Sequence, residues 1–195
     1  SSATSGGPAP TRIVMVTANL DSSSLFHDIA PGASADGSAV VALIAAADSL
    51  RALRADMASR GGASLMFVLL QGENWDHVGS RRLFHDMQVF QCRKRRGPGD
   101  GVPHDVCLDP PMLAPDIERF NVSMLDFVLH VEQLLPSDGP ALYLHTGCNP
   151  SPHTRTMKAL LLDHGGAAAG SGALGIEEAS PDLPLPSSSY LSALF

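Results

Sequence analysis

Apolar and polar positions alternate in two rhythms along this chain. "RIVMVTA" from Arg12 is a β-rich run that ends in a polar loop holding Pro31, Gly32 and Gly37. "SAVVALIAAADSLRALRADMAS" from Ser38 repeats apolar residues at helical spacing, which predicts that Val40, Ile44, Ala47 and Leu50 share a face. After a Gly61-Gly62 stop, "ASLMFVLL" from Ala63 is a second continuous apolar strand, and a helix is expected from about Asp76. Strand, helix, strand, with both strands apolar throughout, is the order of a crossover unit whose strands lie parallel and buried. The predicted class is α/β, a mostly parallel central sheet flanked by helices. Ligands of such sheets bind beyond the carboxyl ends of the strands, where Asn19 to Asp21 and Gln71 to Asp76 fall.

Downstream, residues 91–115 shift to Gly, Pro and charge without period, which predicts an insertion or long loop over the sheet edge. "MLDFVLHVEQL" from Met124 and "ALYLHTG" from Ala141 predict two more strands. "TRTMKALLLDHGG" from Thr154 predicts a helix closed by glycines, and "GGAAAGSGALG" from Gly165 a flexible stretch. Residues 1–11 are expected to be disordered and 12–195 to form one domain. The final "LPLPSSSYLSALF" ends within a turn or two of its Ser cap, so that domain is expected to be incomplete.

Composition narrows the function. With 195 residues, 44% hydrophobic and 17% charged, the chain can bury one sizeable core, and its net charge of −7 disfavours nucleic acid as a general partner. The cationic cluster "CRKRRGPGDG" from Cys92 sits among turn formers, where a solvated loop is the default and a docking or processing site the alternative. The apolar run Leu65 to Leu70 is too short to cross a bilayer. Cys92, Cys107 and Cys148 show no metal-ligand spacing; Cys92 and Cys107 flank the insertion and are candidates for a bridge across it, leaving Cys148 odd. "NVS" at Asn121 is a glycosylation sequon of the secretory route. His27, His77, His85, His104, His130, His145, His153 and His164 form no H-E-x-x-H pair, so ordinary surface or hydrogen-bonded histidines are expected.

Three motifs in register carry a resemblance. "ANLDS" from Ala18, "APGASADGSA" from Ala30 and "GENWDHVGS" from Gly72 are similar to the H-x-D-S, P-G-A-D-D and G-E-E-x-G-x-x-G-S stretches of co-catalytic zinc aminopeptidases. Carried over by position, the zinc ligand places fall on Asn19, Ser34 and Asn74, the orienting acid on Asp21 and the general base on Glu73. Amides and a hydroxyl lack the charge and donor strength that zinc needs. Asp36 would restore an acid only if its loop slipped. No metal and no cofactor are therefore expected, and Glu73 alone is a weak hydrolytic base.

That pattern of loss resembles the nicastrin family, whose D-Y-I-G-S signature stands beside "DHVGS" at Asp76 to Ser80, with His77 and Val78 departing from it. "VTANLDSSSLFHDIAPGA", "LMFVLLQGE", "SMLDFVLHVEQL", "LYLHTG" and the closing "LPLPSSSYLSALF" extend the likeness. The resemblance implies a non-catalytic subunit of the γ-secretase complex, partnered by a presenilin-type aspartyl protease and the other subunits. It further implies a scaffold and gatekeeper for ectodomain stubs of type I membrane proteins, on the lumenal side of secretory-pathway membranes. The family's single span lies outside this chain. Glu73, Trp75, Asp76, His77, Val78, Gly79 and Ser80 are the candidates for substrate binding or gating. Beside that reading, Asp76 is expected to cap the helix, and Gly79 to let it approach the sheet. Ser80 would bond a nearby carbonyl, and Glu73 either meets a peptide's terminal ammonium or accepts from an internal donor such as the Ser34 loop. Trp75 either walls the pocket or packs on the sheet edge. A living zinc aminopeptidase and a free-standing peptide-binding pseudoenzyme are the rival readings.

Overall fold

The computed structural model describes residues 12–22, 32–53, 56, 63–113, 115–134, 141–147, 149–169, 175–180 and 186. The expected disorder of residues 1–11, His27, Cys148, the 170–174 part of the glycine-rich stretch and all of the final thirteen-letter motif except Pro186 lie outside these. Strand β1 (Ile13–Asn19) leads through a π-helical turn (Ala33–Gly37) into helix α1 (Ser38–Arg51), then strand β2 (Ser64–Leu70) and helix α2 (Val78–Val89). Strands β3 (Lys94–Arg96), β4 (Val106–Asp109) and β5 (Pro111–Met112) follow. Two 3-10 turns (Pro115–Arg119, Val122–Met124) precede strand β6 (Leu125–Val131), and strand β7 (Ala141–Leu144), helix α3 (Pro152–Ala169) and strand β8 (Gly175–Glu178) end the order.

The apolar runs form the predicted parallel sheet, ordered β2-β1-β6, with Ile13 opposite Ser64, Asn19 opposite Leu70 and Ala18 opposite Val131. Alternation along β1 divides its side chains between two cores. Ile13 and Met15 pack with Phe84 and Met87 of α2, and Met66, Val68, Leu125 and Val128 close in around them. On the other face Ala18 meets Ala39 and Leu43 of α1, joined by Val16, Val40, Phe67 and Val131. Phe84 is buried, and truncating it to Ala would cost about 3–5 kcal/mol through lost transfer energy and an unfilled cavity.

The buried face of α1 is not the one periodicity suggested. Ala39 and Leu43 are buried while Ile44 stays 54% exposed. Because every residue from Ala39 to Ala47 is apolar, the pattern alone cannot fix the helix rotation. The 91–115 stretch likewise is not an irregular loop. It contains an antiparallel ribbon ordered β3-β4-β5, closed by a Cys92–Cys107 disulfide. Gly165 does not close the last helix either, since α3 runs on to Ala169. A Cβ on Gly165 would lie 2.5 Å from the Ile176 Cβ, so this glycine serves close packing on β8, a strand that starts at the last residue of the stretch expected to be flexible. β7 and β8 pair in parallel, repeating the crossover pattern across α3. Asp126 at the start of β6 pairs with Arg12 and with His153 of α3 (2.6 Å), and the Arg12 guanidinium, with the nearby His153, holds its carboxyl below the usual range.

Candidate functional site

The candidate residues gather at the carboxyl ends of β1, β2 and β6, as expected of a parallel sheet. β2 gives way to Gln71 and Gly72, and Gly72 takes a positive φ of 87° that turns successive amides toward one point. That point is the Asp21 carboxylate. It accepts from the backbone N–H groups of Gly72 (2.8 Å), Glu73 (3.1 Å) and Asn74 (3.1 Å), while the Asn74 side-chain amide donates to the Asp21 carbonyl (2.6 Å). Such a row of amides is an anion-binding nest, and the chain fills it with its own acid. The geometry gives Asp21 a structural role.

Glu73 points the other way, into the protein, and is 4% exposed. One carboxylate oxygen accepts from the Ser80 amide (2.6 Å); the other accepts from the Ser80 hydroxyl (2.8 Å) and lies 3.2 Å from His77 Nδ1. Glu73 therefore caps α2 from seven residues upstream, satisfying a first-turn donor and setting negative charge against the positive end of the helix. An internal donor is present, Ser80; the Ser34 side chain lies outside the described residues. Ser80 also donates to the His77 carbonyl (3.3 Å), the bond anticipated for it.

The expected cap is corrected by this arrangement. α2 begins at Val78, not near Asp76, and Asp76 and His77 adopt left-handed backbone (φ 56° and 55°). A side chain facing away from the helix axis cannot reach the first-turn amides, and Asp76 instead accepts from Arg81 at 2.7 Å on the surface. Two adjacent left-handed residues other than glycine cost roughly 1–2 kcal/mol each. The His77 amide donates to the Glu73 carbonyl (3.0 Å) and the Val78 amide to the Gly72 carbonyl (3.1 Å), which holds the turn closed. Gly79 makes the packing possible: a Cβ there would sit 2.2 Å from the Gln71 carbonyl oxygen. The close approach expected of this residue is thus observed. The turn presents Asn74, Asp76, Trp75 (65% exposed) and Val78 (56% exposed) outward.

Behind the turn lies one of the eight histidines expected to be ordinary surface or hydrogen-bonded residues, and it is hydrogen-bonded. His130, near the end of β6, meets the Thr17 hydroxyl through Nδ1 at 2.9 Å. Burial pushes its pKa down; the nearby Glu73 charge opposes this and His77 adds to it, so the three groups share one electrostatic environment. In the sequence it opens the "HVE" that ends an otherwise apolar strand. Asn19 is buried, and among the described residues its side-chain oxygen has no hydrogen-bond partner. Beside it, burial raises the pKa of Asp36 with Asp21 adding to the effect. Burial also raises Glu132, with Asp36 reinforcing the shift and His145 opposing it.

These residues do not suit the two zinc ions of the aminopeptidases. Asn19 offers only a neutral amide, Asn74 is spent as a donor, and Asp21 and Glu73 are spent on backbone and helix. Among the described residues no three His, Cys, Asp or Glu side chains are placed to hold a metal ion. A shallow depression of about 330 Å³ lies at the opposite end of the strands, lined by Ile13, Ser64, Leu65, Met66, Arg119 and Phe120.

With this geometry in place, similarity to known proteins can be weighed. The family model described as nicastrin large lobe matches residues 12–194. The rat protein named nicastrin is 40% identical over 86 residues, 44% of this chain and 12% of its own length. Human nicastrin is 38% identical over 77 residues, 40% of this chain and 11% of its own length. Nicastrin of Dictyostelium purpureum is 25% identical over 142 residues, 69% of this chain and 21% of its own. The chain thus spans a small part of the curated relatives it matches. The crystal structure titled as that of the γ-secretase component nicastrin superposes with a TM-score of 0.71 at 22% identity, over 94% of this chain and 31% of that one. A mixed α/β lobe matched over nearly its whole length places the conclusion beyond the single motif: the chain belongs to the nicastrin family.

Proposed function

We propose that this chain is part of a non-catalytic subunit of a γ-secretase-type intramembrane protease complex. Its partners are a presenilin-type aspartyl protease and the other subunits, and it acts as scaffold and gatekeeper for ectodomain stubs of type I membrane proteins. Family membership supports the assignment, and a structural neighbour carries the γ-secretase title. The observation that carries the non-catalytic half is the state of Glu73. The residue standing at the base position of the related peptidases is buried and committed to the first turn of α2, so it is not free to take a proton from water.

The gating surface in this reading is the strained turn that Asp21 and Glu73 brace from beneath. Asn74, Trp75, Asp76, His77 and Val78 form its outer side, and Gly79 and Ser80 fix it to the sheet. Strain maintained on an exposed turn is a recurrent mark of recognition sites. The chain faces the lumen of the secretory route and is anchored by a span beyond it; among the described residues no helix is long and apolar enough to cross a membrane. Asn121 is exposed, its side-chain oxygen accepting from Ser123 (2.8 Å), and serves as a glycan acceptor.

Affinity purification of the full-length protein from native membranes in mild detergent tests the assignment. A presenilin-like aspartyl protease should co-purify near stoichiometry. Recovery of the protein alone contradicts the reading and favours a free-standing peptide binder.

A further inference from the structure

Residues Arg93, Lys94, Arg95 and Arg96 are all exposed in a chain of net charge −7. Lys94 to Arg96 form β3 and Arg93 directly precedes it; among the described residues β3 pairs only with β4 and is therefore the edge of its ribbon. An edge strand is already extended and leaves outward-facing amides and carbonyls for a second chain to pair with. Serine endoproteases commonly bind substrates in that manner, reading side chains of an added strand in successive pockets. Gly97, Pro98 and Gly101 then turn the chain away, with Gly101 at a φ of 80°. Exposed turns of this composition are where chains are most readily nicked.

We propose that the Arg96–Gly97 peptide bond is a processing site for a secretory-route serine endoprotease selective for basic residues. Arg96 fills the pocket next to the cut, Arg95 the second and Arg93 the fourth, each pocket lined by carboxylates that reject neutral side chains. The step is hydrolysis: the enzyme's serine attacks the Arg96 carbonyl carbon, Gly97 leaves as a free amine, and water then releases Arg96 as a carboxylate. The ion pairs that hold the cluster are weak obstacles. Arg93 meets Asp109 at 3.7 Å and Arg95 meets Asp105 at 3.7 Å, all at partly or largely exposed positions, and Arg95 also pairs with Glu118.

The Cys92–Cys107 bond gives the cut a defined outcome. Its two sulfurs lie on opposite sides of the cut, so the pieces stay covalently joined and the nicked chain remains one molecule. The bond also argues for an oxidising compartment, where proteases of this class work. The proposal rests on that compartment and not on assembly into a membrane complex.

The test is full-length protein made in secretory cells with and without an active protease of this specificity. With the protease, reducing gels should show two fragments, the second beginning Gly97-Pro98-Gly99 on N-terminal sequencing, while non-reducing gels show one species. Arg96→Ala and Arg93→Ala should each lower the cleaved fraction by at least about tenfold, and Lys94→Ala should leave it unchanged. The proposal is overturned if native protein stays intact while an isolated peptide of residues 90–100 is cut. It is equally overturned if cleavage persists in Arg96→Ala, or if the fragments separate without reductant.

Discussion

Replacing Glu73 separates a structural carboxylate from an idle catalytic relic. In Glu73→Ala the Ser80 amide loses its acceptor inside a protein region where Ser80 is fully buried, which costs about 1–3 kcal/mol for one unsatisfied donor. The Ser80 hydroxyl is less affected, because the His77 carbonyl at 3.3 Å remains available to it. Loss of the negative charge from the start of α2 adds roughly 0.3–1 kcal/mol. The expected destabilisation is about 2–3 kcal/mol. With an m-value of about 2 kcal/mol/M, that lowers the urea midpoint by about 1–1.5 M. Glu73→Gln keeps an acceptor for the amide and should lose about half as much. Ser80→Ala alone should be milder than Glu73→Ala, and the double variant should fall short of the summed losses by about 1 kcal/mol. A Glu73→Ala unfolding free energy within ~0.5 kcal/mol of the parent's would refute the capping role. Glu73→Lys, which puts a cation at the helix start, should unfold at least as readily as the alanine variant. If it folded normally yet lost substrate capture, direct contact with substrate would replace bracing as the role of this residue.

Three further outcomes follow from the same geometry. Gly79→Ala forces a Cβ to 2.2 Å from the Gln71 carbonyl and should cost about 3 kcal/mol, at the upper end for overpacking, measured by the same urea titration. Opening the fifteen-residue loop with Cys92→Ser should cost roughly 3 kcal/mol on the chain-entropy account, and the loss should be matched in parent protein treated with reductant. His130 sets a pH dependence. Its folded pKa lies below the 6.5 of a free histidine, so the unfolded chain takes up its proton first. Stability from this group is therefore complete above about pH 6.5 and drains away as pH falls toward the folded value. Unfolding free energies at about pH 7.5 and about pH 5.5 should differ less in His130→Gln than in the parent.

Much of the fold was legible because β1, β2, β6 and β7 are apolar runs bounded by turn residues, and a strand buried on both faces needs little else. α1 was legible as a helix but not in its rotation, since its apolar positions encircle it. β8 was hidden because the glycines before it signal flexibility as readily as close packing; the Gly165 contact with Ile176 belongs to tertiary structure. The ribbon escaped notice for a related reason: Gly and Pro mark the connections between its strands, and a disulfide rather than a core fastens it. At the site, the motifs located the right turn but not its wiring. Nothing in "GENWDHVGS" states that Gly72 opens a nest for Asp21, that Glu73 reaches forward to Ser80, or that Asp76 turns away. Those bonds depend on left-handed backbone at Asp76 and His77, which residue type permits without requiring.

In the function proposed above, this edge of the sheet holds substrate without hydrolysing it. The most direct test is zinc content of the purified protein together with release of N-terminal residues from aminoacyl chromogenic amides, before and after incubation with zinc. No stoichiometric metal and no release above buffer are expected under either condition. Two equivalents of bound zinc accompanied by turnover would contradict it.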